Sequence, residues 1–466
     1  MGRTAVAPAI ANDIMKKITY LSTNRELPSG FREKLSFREA LFMGQAPDQG
    51  LFMPSDIPGM SPKEIISLRG RPYAEVALAV LGKFLSGDIA EAELQAMTAD
   101  AYDYEIPIER IDFFTYLLRL DRGPTASFKD FAARFMALAM KAMKVPRRKI
   151  TVLVATSGDT GSAVGEAFRN LSGIRVYILY PEREVTPVQK KQLDSIGRNV
   201  QAIAVEGKFD DCQRLVKEAF SDPKLLPLHL TSANSINIGR ILPQIVYYFY
   251  AYANVAEDLK PLVFSIPSGN FGNSLGCELA RRMGLPIRKI IVAVNENDEF
   301  PYFLNSGEYN KVNPARACLS NAMNVGHPSN LARYFDLYGG TLDKNGVVHR
   351  APDLAAMRKN LYSVSISDKE TTETMVRLYQ EHSFIVEPHG AVGLAACRHY
   401  FESHHRETAI CLETAHPYKF ASLISDTLGI ALPPPKSMKK LNSRRGKADR
   451  LKKNYPALRK YLLERL

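Results

Sequence analysis

One lysine stands out for the chemistry its neighbours permit. Lys129 ends the stretch GPTASFK at 123–129 and opens the apolar run DFAARFM at 130–136. Pro124 fixes a turn ahead of it. An amine at the start of a helix, between Phe128 and Phe131, is pushed toward its neutral form by the helix dipole and by desolvation. A neutral amine is what bonding to an aldehyde requires. A surface lysine beside Asp130 would present the same local sequence, so this segment alone leaves both readings open.

Four more polar segments have the composition of anion sites. ATSGDTG at 155–161 brings Ser157, Gly158, Asp159 and Thr160 together where a strand would pass into a helix, so backbone N–H groups and hydroxyls converge as a carboxylate or phosphate needs. PSGNFGN at 267–273 has the same placement, and its glycines let the backbone approach a phosphate closely. SANSINIGR at 232–240 offers Asn234, Ser235, Asn237 and Arg240, a plausible second phosphate cradle. ETAHPYK at 413–419 follows the last apolar run, with EPHG at 387–390 upstream. Each has a bland counterpart, such as a helix cap or a solvated arginine. Two Gly-rich loops at the ends of two buried strands, with a candidate lysine, make a stronger case than any one segment.

The elements that must position these loops are short and β-branched. Apolar runs at 150–155, 176–180, 200–205, 262–266, 290–294 and 409–412 alternate with helical segments, the pattern of parallel strands buried on both faces. Ligands in such sheets lie beyond the carboxyl ends of the strands, which directs attention to loops 156–161, 267–273 and 413–417. Residues 1–110 read as a more helical α+β region and 111–430 as a catalytic α/β body. Within that body, 300–375, rich in Asn, Gly and Asp, reads as an insertion or small subdomain.

At 466 residues the chain exceeds one ordinary core. Its 45% hydrophobic and 24% charged content suits a soluble globular enzyme. No run approaches the length of a membrane span, and the first residues carry no clear signal core, so a cytoplasmic protein is expected. The net charge of +12 suggests a nucleic-acid partner until it is located. Residues 436–466 hold twelve Lys/Arg against two Asp/Glu, so nearly all of it lies in a basic tail after Pro433-Pro434-Pro435. The tail, 431–466, reads as an appendage to the body. Leu458, Leu462 and Leu463 would give it an apolar stripe for docking on its own subunit or a neighbour, which is expected ahead of RNA binding. The five cysteines are odd in number and never spaced CxxC, which indicates buried thiols and neither disulfides nor a metal site.

Taken together, GPTASFKD, ATSGDTG, SANSINIGR, PSGNFG and ETAHPYKF, in that set and with the leader motifs YLST at 20–23 and DQGLFMP at 48–54, resemble the threonine synthases. The resemblance runs from about residue 18 to about 430. It implies a pyridoxal-phosphate enzyme of the tryptophan synthase β-like fold: α/β, with two open twisted, mostly parallel sheets flanked by helices, and a helical N-terminal region. The active site would lie between two subdomains. Lys129 would bond the cofactor and later move protons at the substrate Cα and Cβ. Gly269, Asn270, Phe271 and Asn273 would hold the cofactor phosphate, and Thr414 would meet the pyridine nitrogen. Ser157, Gly158, Asp159 and Thr160 would face the substrate carboxylate and the cofactor ring oxygen. Asn234, Ser235, Asn237 and Arg240 would take the substrate phosphate.

The implied reaction turns O-phospho-L-homoserine and water into L-threonine and phosphate, in a monomer or homodimer. Leu120-Asp121-Arg122 stands where the family usually carries an aromatic residue and a histidine, and Ser127 where alanine is usual. Three other readings share parts of this pattern. A related phospholyase would release 2-oxobutanoate, phosphate and ammonia. A β-replacing or dehydrating enzyme would need no second phosphate cradle. A non-catalytic binder would act through the tail.

Overall fold

The computed structural model describes residues 17–145, 148–439, 441 and 443–465. The features of the first sixteen residues that bear on targeting therefore lie outside the described residues. Each expected apolar run becomes a strand, and together they form two sheets. The smaller has five strands in the order Asp449–Lys452, Val200–Glu206, Ile174–Pro181, Ile150–Ala155 and Leu230–Ser232, every pair parallel. The larger runs Leu361–Ser365, Ile287–Val294, Leu262–Pro267, Ala409–Glu413, Thr115–Arg119 and Ile108–Arg110, parallel except for the last pair.

Side-chain alternation along these strands builds three cores from two sheets. Val152, Val154, Val176 and Ile178 of the smaller sheet share one continuous core with Phe264, Ile266, Val292 and Leu412 of the larger. The intervening residues face outward into separate clusters: Leu153, Leu179 and Ile203 on one side, and Val263, Ile291 and Cys411 on the other. With each such side chain worth roughly 1.5–3 kcal/mol on full burial, both faces are committed. This explains why the runs are continuously apolar and do not alternate with polar residues.

The N-terminal region adds the antiparallel pair Tyr20–Ser22 and Phe52–Pro54 and the helices Phe37–Met43, Tyr73–Leu85 and Glu91–Ala101. Ser36 and Glu39, and likewise Ser61 and Glu64, form capping boxes that fix where two of its helices begin. Its apolar residues, among them Phe37, Val80 and Leu81, join the shared core, so the region packs as part of the body.

Three expectations about organisation change. The antiparallel edge strand Ile108–Arg110 already belongs to the larger sheet, so the body begins before residue 111. The stretch 300–375 is only partly an insertion. Leu361–Ser365 is an edge strand paired in parallel with Ile287–Val294, too short and too polar on one side to be read as a buried run. The basic tail is no appendage either. Asp449–Lys452 completes the smaller sheet, and helix Tyr455–Leu463 buries Leu458 and Leu462 against the outer core that helix Phe209–Phe220 also lines. Its cations meet acids of the body: Arg444 with Glu166, Arg450 with Glu182, and Arg459 with Asp222. The five cysteines are unpaired and buried. Among the described residues no helix is long and apolar enough to cross a membrane.

Strand order locates the cleft. In the larger sheet the chain moves outward from Leu262–Pro267 through Ile287–Val294 to Leu361–Ser365, while Ala409–Glu413 lies on the other side. In the smaller sheet it moves outward from Ile150–Ala155 through Ile174–Pro181, with Leu230–Ser232 on the other side. These are topological switch points, where neighbouring loops diverge and leave a crevice. The loops after 155, 232, 267 and 413 all emerge there.

Candidate active site

Lys129 is the first residue of helix Lys129–Met143, at the helix start that the sequence suggested. The turn before it is held by Asp130, whose carboxylate accepts the Thr125 N–H at 2.8 Å and the Thr125 hydroxyl at 2.6 Å. A methyl group at Gly123 would lie 2.5 Å from that carboxylate, so the turn closes only on glycine. The loop is also stitched to the segment after the last strand: Phe128 N–H donates to the Thr414 carbonyl at 2.9 Å, and His416 N–H to the Ala126 carbonyl at 3.0 Å. The Lys129 amine lies 3.7 Å from the centre of the Phe128 ring, and among the described residues no carboxylate is within ion-pair distance of it. Burial, aided by the cations of Arg240 and Lys419 and opposed by Asp159, lowers its pKa to about 7. A substantial neutral fraction therefore exists near neutral pH.

The cleft in front of this amine is lined by Ser157, Asp159, Thr160, Asn234, Ser235, Arg240, Gly269, Asn270, Phe271, Asn273 and Thr414, which are nearly all the residues expected there. Two of its walls are shaped for anions. Loop 267–273 leads into helix Gly272–Arg282, whose first turn has no side-chain cap, so its leading N–H groups remain available to a ligand. A methyl group at Gly269 would lie 2.5 Å from the Ala322 carbonyl, and Phe271 turns the chain with φ 58°. Asn270 and Asn273 hold the loop in shape. Asn270 accepts the Ser329 N–H at 2.7 Å and donates to the Ser235 hydroxyl at 3.2 Å, while Asn273 donates to the Pro267 carbonyl at 2.8 Å.

The opposite wall follows the same logic. The Thr156 hydroxyl accepts the N–H groups of Gly158 and Gly161, both at 2.9 Å, and folds loop 156–161 around itself. Gly158, at φ 132°, packs against Gln189, where a side chain would collide. Asn234 bonds the Ala155 backbone in both directions, at 3.2 and 2.7 Å, and so joins two loops. Arg240 is buried and donates to the Ala233 carbonyl at 2.6 Å, but its Nε has no partner. A buried guanidinium with a free donor and, among the described residues, no direct ion pair, with Asp130 acting on it only from further off, suits an anion.

Asn237 does not belong to this wall. It is fully buried behind it, donating to the Leu41 and Ser232 carbonyls at 2.8 Å each and accepting the Gly239 N–H at 2.9 Å. Its spacing from Asn234 suggested a shared face. The chain instead turns there into a short 3-10 helix, Ile238–Arg240, which Asn237 caps.

Gln189 and several residues that sequence reasoning left without a role, though it singled out their segments 387–390 and 413–419, complete the site. Lys419 is fully buried and its amine sits 2.8 Å from Asp159 Oδ1, which also accepts from Gln189 at 3.0 Å. Burial pushes Asp159 up, yet Lys419, Gln189 and His389 bring it below its ordinary range. Behind Thr414 lies a carboxyl pair. Glu387 accepts the N–H groups of His389 and Gly390 at 2.8 and 3.0 Å and also meets His389 Nδ1, and its Oε1 lies 3.5 Å from the Thr414 hydroxyl. Glu413 Oε1 accepts the Glu387 N–H at 3.0 Å and its Oε2 has no partner among the described residues, and burial beside Glu387 pushes the Glu413 carboxyl well above its ordinary range. His389 reaches back to the cleft by accepting the Ala322 N–H at 3.0 Å. His416 instead turns away and caps its own turn by accepting the Tyr418 N–H at 3.1 Å. The family departures lie behind the cleft as well. Asp121 forms a buried pair with Arg119 at 3.0 and 2.6 Å, and the buried Ser127 hydroxyl has no partner.

An amine free of acids, an uncapped helix N-terminus, a neutral hydroxyl and an unpaired guanidinium around one cleft fit a planar, phosphate-bearing aldehyde such as pyridoxal phosphate. Comparison with known proteins agrees along the chain. Residues 104–412 match the model for pyridoxal-phosphate dependent enzymes, 19–102 that for the threonine synthase N terminus, and 390–462 that for the threonine synthase C-terminal region. The last match takes in most of the basic tail, which the common motifs leave unexplained. The chain is 39% identical over 434 residues to the threonine synthase of Haemophilus influenzae, covering 93% of this chain and 97% of that one. It is 36% identical over 433 residues to that of Escherichia coli, covering 92% and 97%. Among solved structures, Escherichia coli threonine synthase aligns with a TM-score of 0.86 at 34% identity, over 96% of this chain and all of that one. The pyridoxal-phosphate-bound threonine synthase of Brucella melitensis aligns at 0.87 and 33%, over 96% and 99%. With its fold and nearly its whole length matched in this way, the chain belongs to the threonine synthase family of pyridoxal-phosphate-dependent enzymes.

Proposed function

We propose that this chain converts O-phospho-L-homoserine and water into L-threonine and inorganic phosphate, with Lys129 as the residue that bonds the cofactor and moves protons. The observation that carries this reading is the Lys129 amine itself: in the cleft, unpaired with any acid, and brought to a pKa of about 7 by its surroundings.

When bound, pyridoxal phosphate supplies an electron sink conjugated to the substrate Cα. Everything else falls to the protein. The first N–H groups of helix Gly272–Arg282, with the loop Gly269–Asn270–Phe271–Asn273 folded around them, hold the cofactor phosphate. Thr414, backed by Glu387, offers a neutral hydroxyl at the pyridine nitrogen in place of a carboxylate, which leaves the ring less electron-withdrawing. Ser157, Gly158 and Thr160 hold the substrate carboxylate, and Asp159, paired with Lys419 and Gln189, fixes the loop they stand on. Asn234, Ser235 and Arg240 bind the substrate phosphate and stabilise its charge as the Cγ–O bond breaks. Lys129 takes protons from Cα and Cβ and returns one to Cγ, from which phosphate has left, and one to Cα, while water adds its hydroxyl to Cβ and its remaining proton leaves with the phosphate. Five buried, unpaired thiols support a reducing, cytoplasmic setting.

The decisive experiment compares absorption spectra and products of the wild type and Lys129→Ala. The wild type is expected to show the visible band of lysine-bound cofactor and to yield threonine and phosphate in equal amounts. Borohydride trapping followed by peptide mapping should tag Lys129. Finding 2-oxobutanoate as the sole organic product, or the tag on another residue, would overturn the assignment.

A further inference from the structure

Burying a guanidinium is costly unless its donors and its charge are both met. Arg333, on the first turn of helix Leu331–Leu337, has no exposed surface, and all its bonds go to neutral oxygens. Its Nε donates to the Phe52 carbonyl at 3.0 Å, Nη1 to the Ser235 carbonyl at 2.9 Å and to Asn330 Oδ1, and Nη2 to the Ile236 carbonyl at 2.7 Å. The acid on the same helix, Asp336, is already paired with Arg25 at 2.8 Å. Burial lowers the Arg333 pKa to about 9, which leaves it protonated at neutral pH. Four of its five N–H donors are met, and its charge is offset only in part, by an Asp336 already engaged with Arg25.

The acceptors come from three separate segments, and two of them frame the cleft. Ser235 lines the wall read above as the seat of the substrate phosphate. Asn330 donates to the Asn270 carbonyl at 2.8 Å, and Asn270 donates to the Ser235 hydroxyl at 3.2 Å, so the same knot reaches the cofactor-phosphate loop. Arg333 itself does not line the cleft. It draws the carbonyl oxygens of Ser235 and Ile236, which would repel a phosphate, onto the far side of their loop. Arg240, on the other side of that loop, also lacks an acid partner.

We propose that Arg333 is a positioning residue for the phosphate wall, turning the 235–236 carbonyls outward and lending the wall a positive charge that forms no direct ion pair among the described residues. This rests on the reading that loop 233–240 receives the substrate phosphate. The test uses holoenzyme of the wild type, Arg333→Lys and Arg333→Met, with two readouts: the KM and kcat for O-phosphohomoserine, and the rise in thermal midpoint caused by inorganic phosphate. Arg333→Met should raise KM about tenfold or more, as expected for loss of charge-assisted bonds, with a smaller fall in kcat and the cofactor band retained. Phosphate should then stabilise it less than the wild type, and Arg333→Lys should recover part of both effects. Equal phosphate stabilisation of all three proteins, or none in the wild type, would overturn the proposal. So would an unchanged KM. Should Arg333→Met not fold, Arg333→Lys decides alone, since behaviour identical to the wild type removes any need for the guanidinium fork. If the wild type makes no threonine, the functional reading fails separately, and the phosphate-dependent midpoints still judge Arg333.

Discussion

Two lysines, one lining the cleft and one buried just behind its wall, have opposite surroundings. Lys419 is fully buried with its amine 2.8 Å from Asp159, whereas Lys129 faces an aromatic ring and two cations and forms no ion pair with an acid among the described residues. The ion pair commits one amine to a structural role. Its absence frees the other to lose its proton. Asp159 lines the cleft and lies close enough to Lys129 to raise its pKa, but its carboxylate is spent on Lys419 and Gln189. A reactive lysine is made here as much by what its neighbours are already bonded to as by what lies beside it.

Removing each amine should therefore fail in a different way. Lys129→Ala is expected to cut turnover by at least about 10³-fold, since both covalent attachment and proton transfer are lost. Its midpoint in urea should stay close to that of the wild type. Lys419→Met leaves Asp159 buried and unpaired, and should cost about 3–5 kcal/mol in urea titration. Adding Asp159→Asn should recover much of that loss. Equal destabilisation by the two lysine replacements would erase the contrast.

Titration sharpens it. Lys129 has a folded value, about 7, below its unfolded one, so between the two the unfolded chain holds more protons. The stability of the cofactor-free protein should accordingly gain from this group as pH rises above 7, and lose that gain as pH falls back through 7. The rate of cofactor uptake, followed by absorbance, should climb about tenfold per pH unit below 7 and level off above it. A rate independent of pH across that range would show that the amine is not held near neutrality. The smallest effect belongs to Ser127→Ala. It removes a buried hydroxyl without a partner, so stability should hold or rise by about 1 kcal/mol, with the cofactor band unchanged.

The parts of the site that were legible in the sequence are those made by local rules. A buried strand followed by glycines and hydroxyls announced the loops after 155 and 267, because backbone geometry and helix N-termini act over a few residues. The resemblance supplied their roles. What escaped was set by partners far apart in the chain. Nothing near Lys419 marks it as the partner of Asp159, and nothing near Arg333 signals the carbonyls of 52, 235 and 236. Asn237 was misplaced for the converse reason: its polarity suggested a ligand, while the turn at Ile238 made it a cap. The strands Leu361–Ser365 and Asp449–Lys452 were missed because short edge strands with polar residues take their structure from the neighbour they join.

That last strand has a consequence for how the molecule is made. Asp449 pairs opposite Ile203, so during synthesis the outer rim of Val200–Glu206 stays bare long after its own sheet has begun to assemble. An open row of N–H and C=O groups is a template for any passing strand. A nascent chain halted before residue 449 should thus be prone to clumping, and the late-arriving segment acts as the stitch that seals the hem.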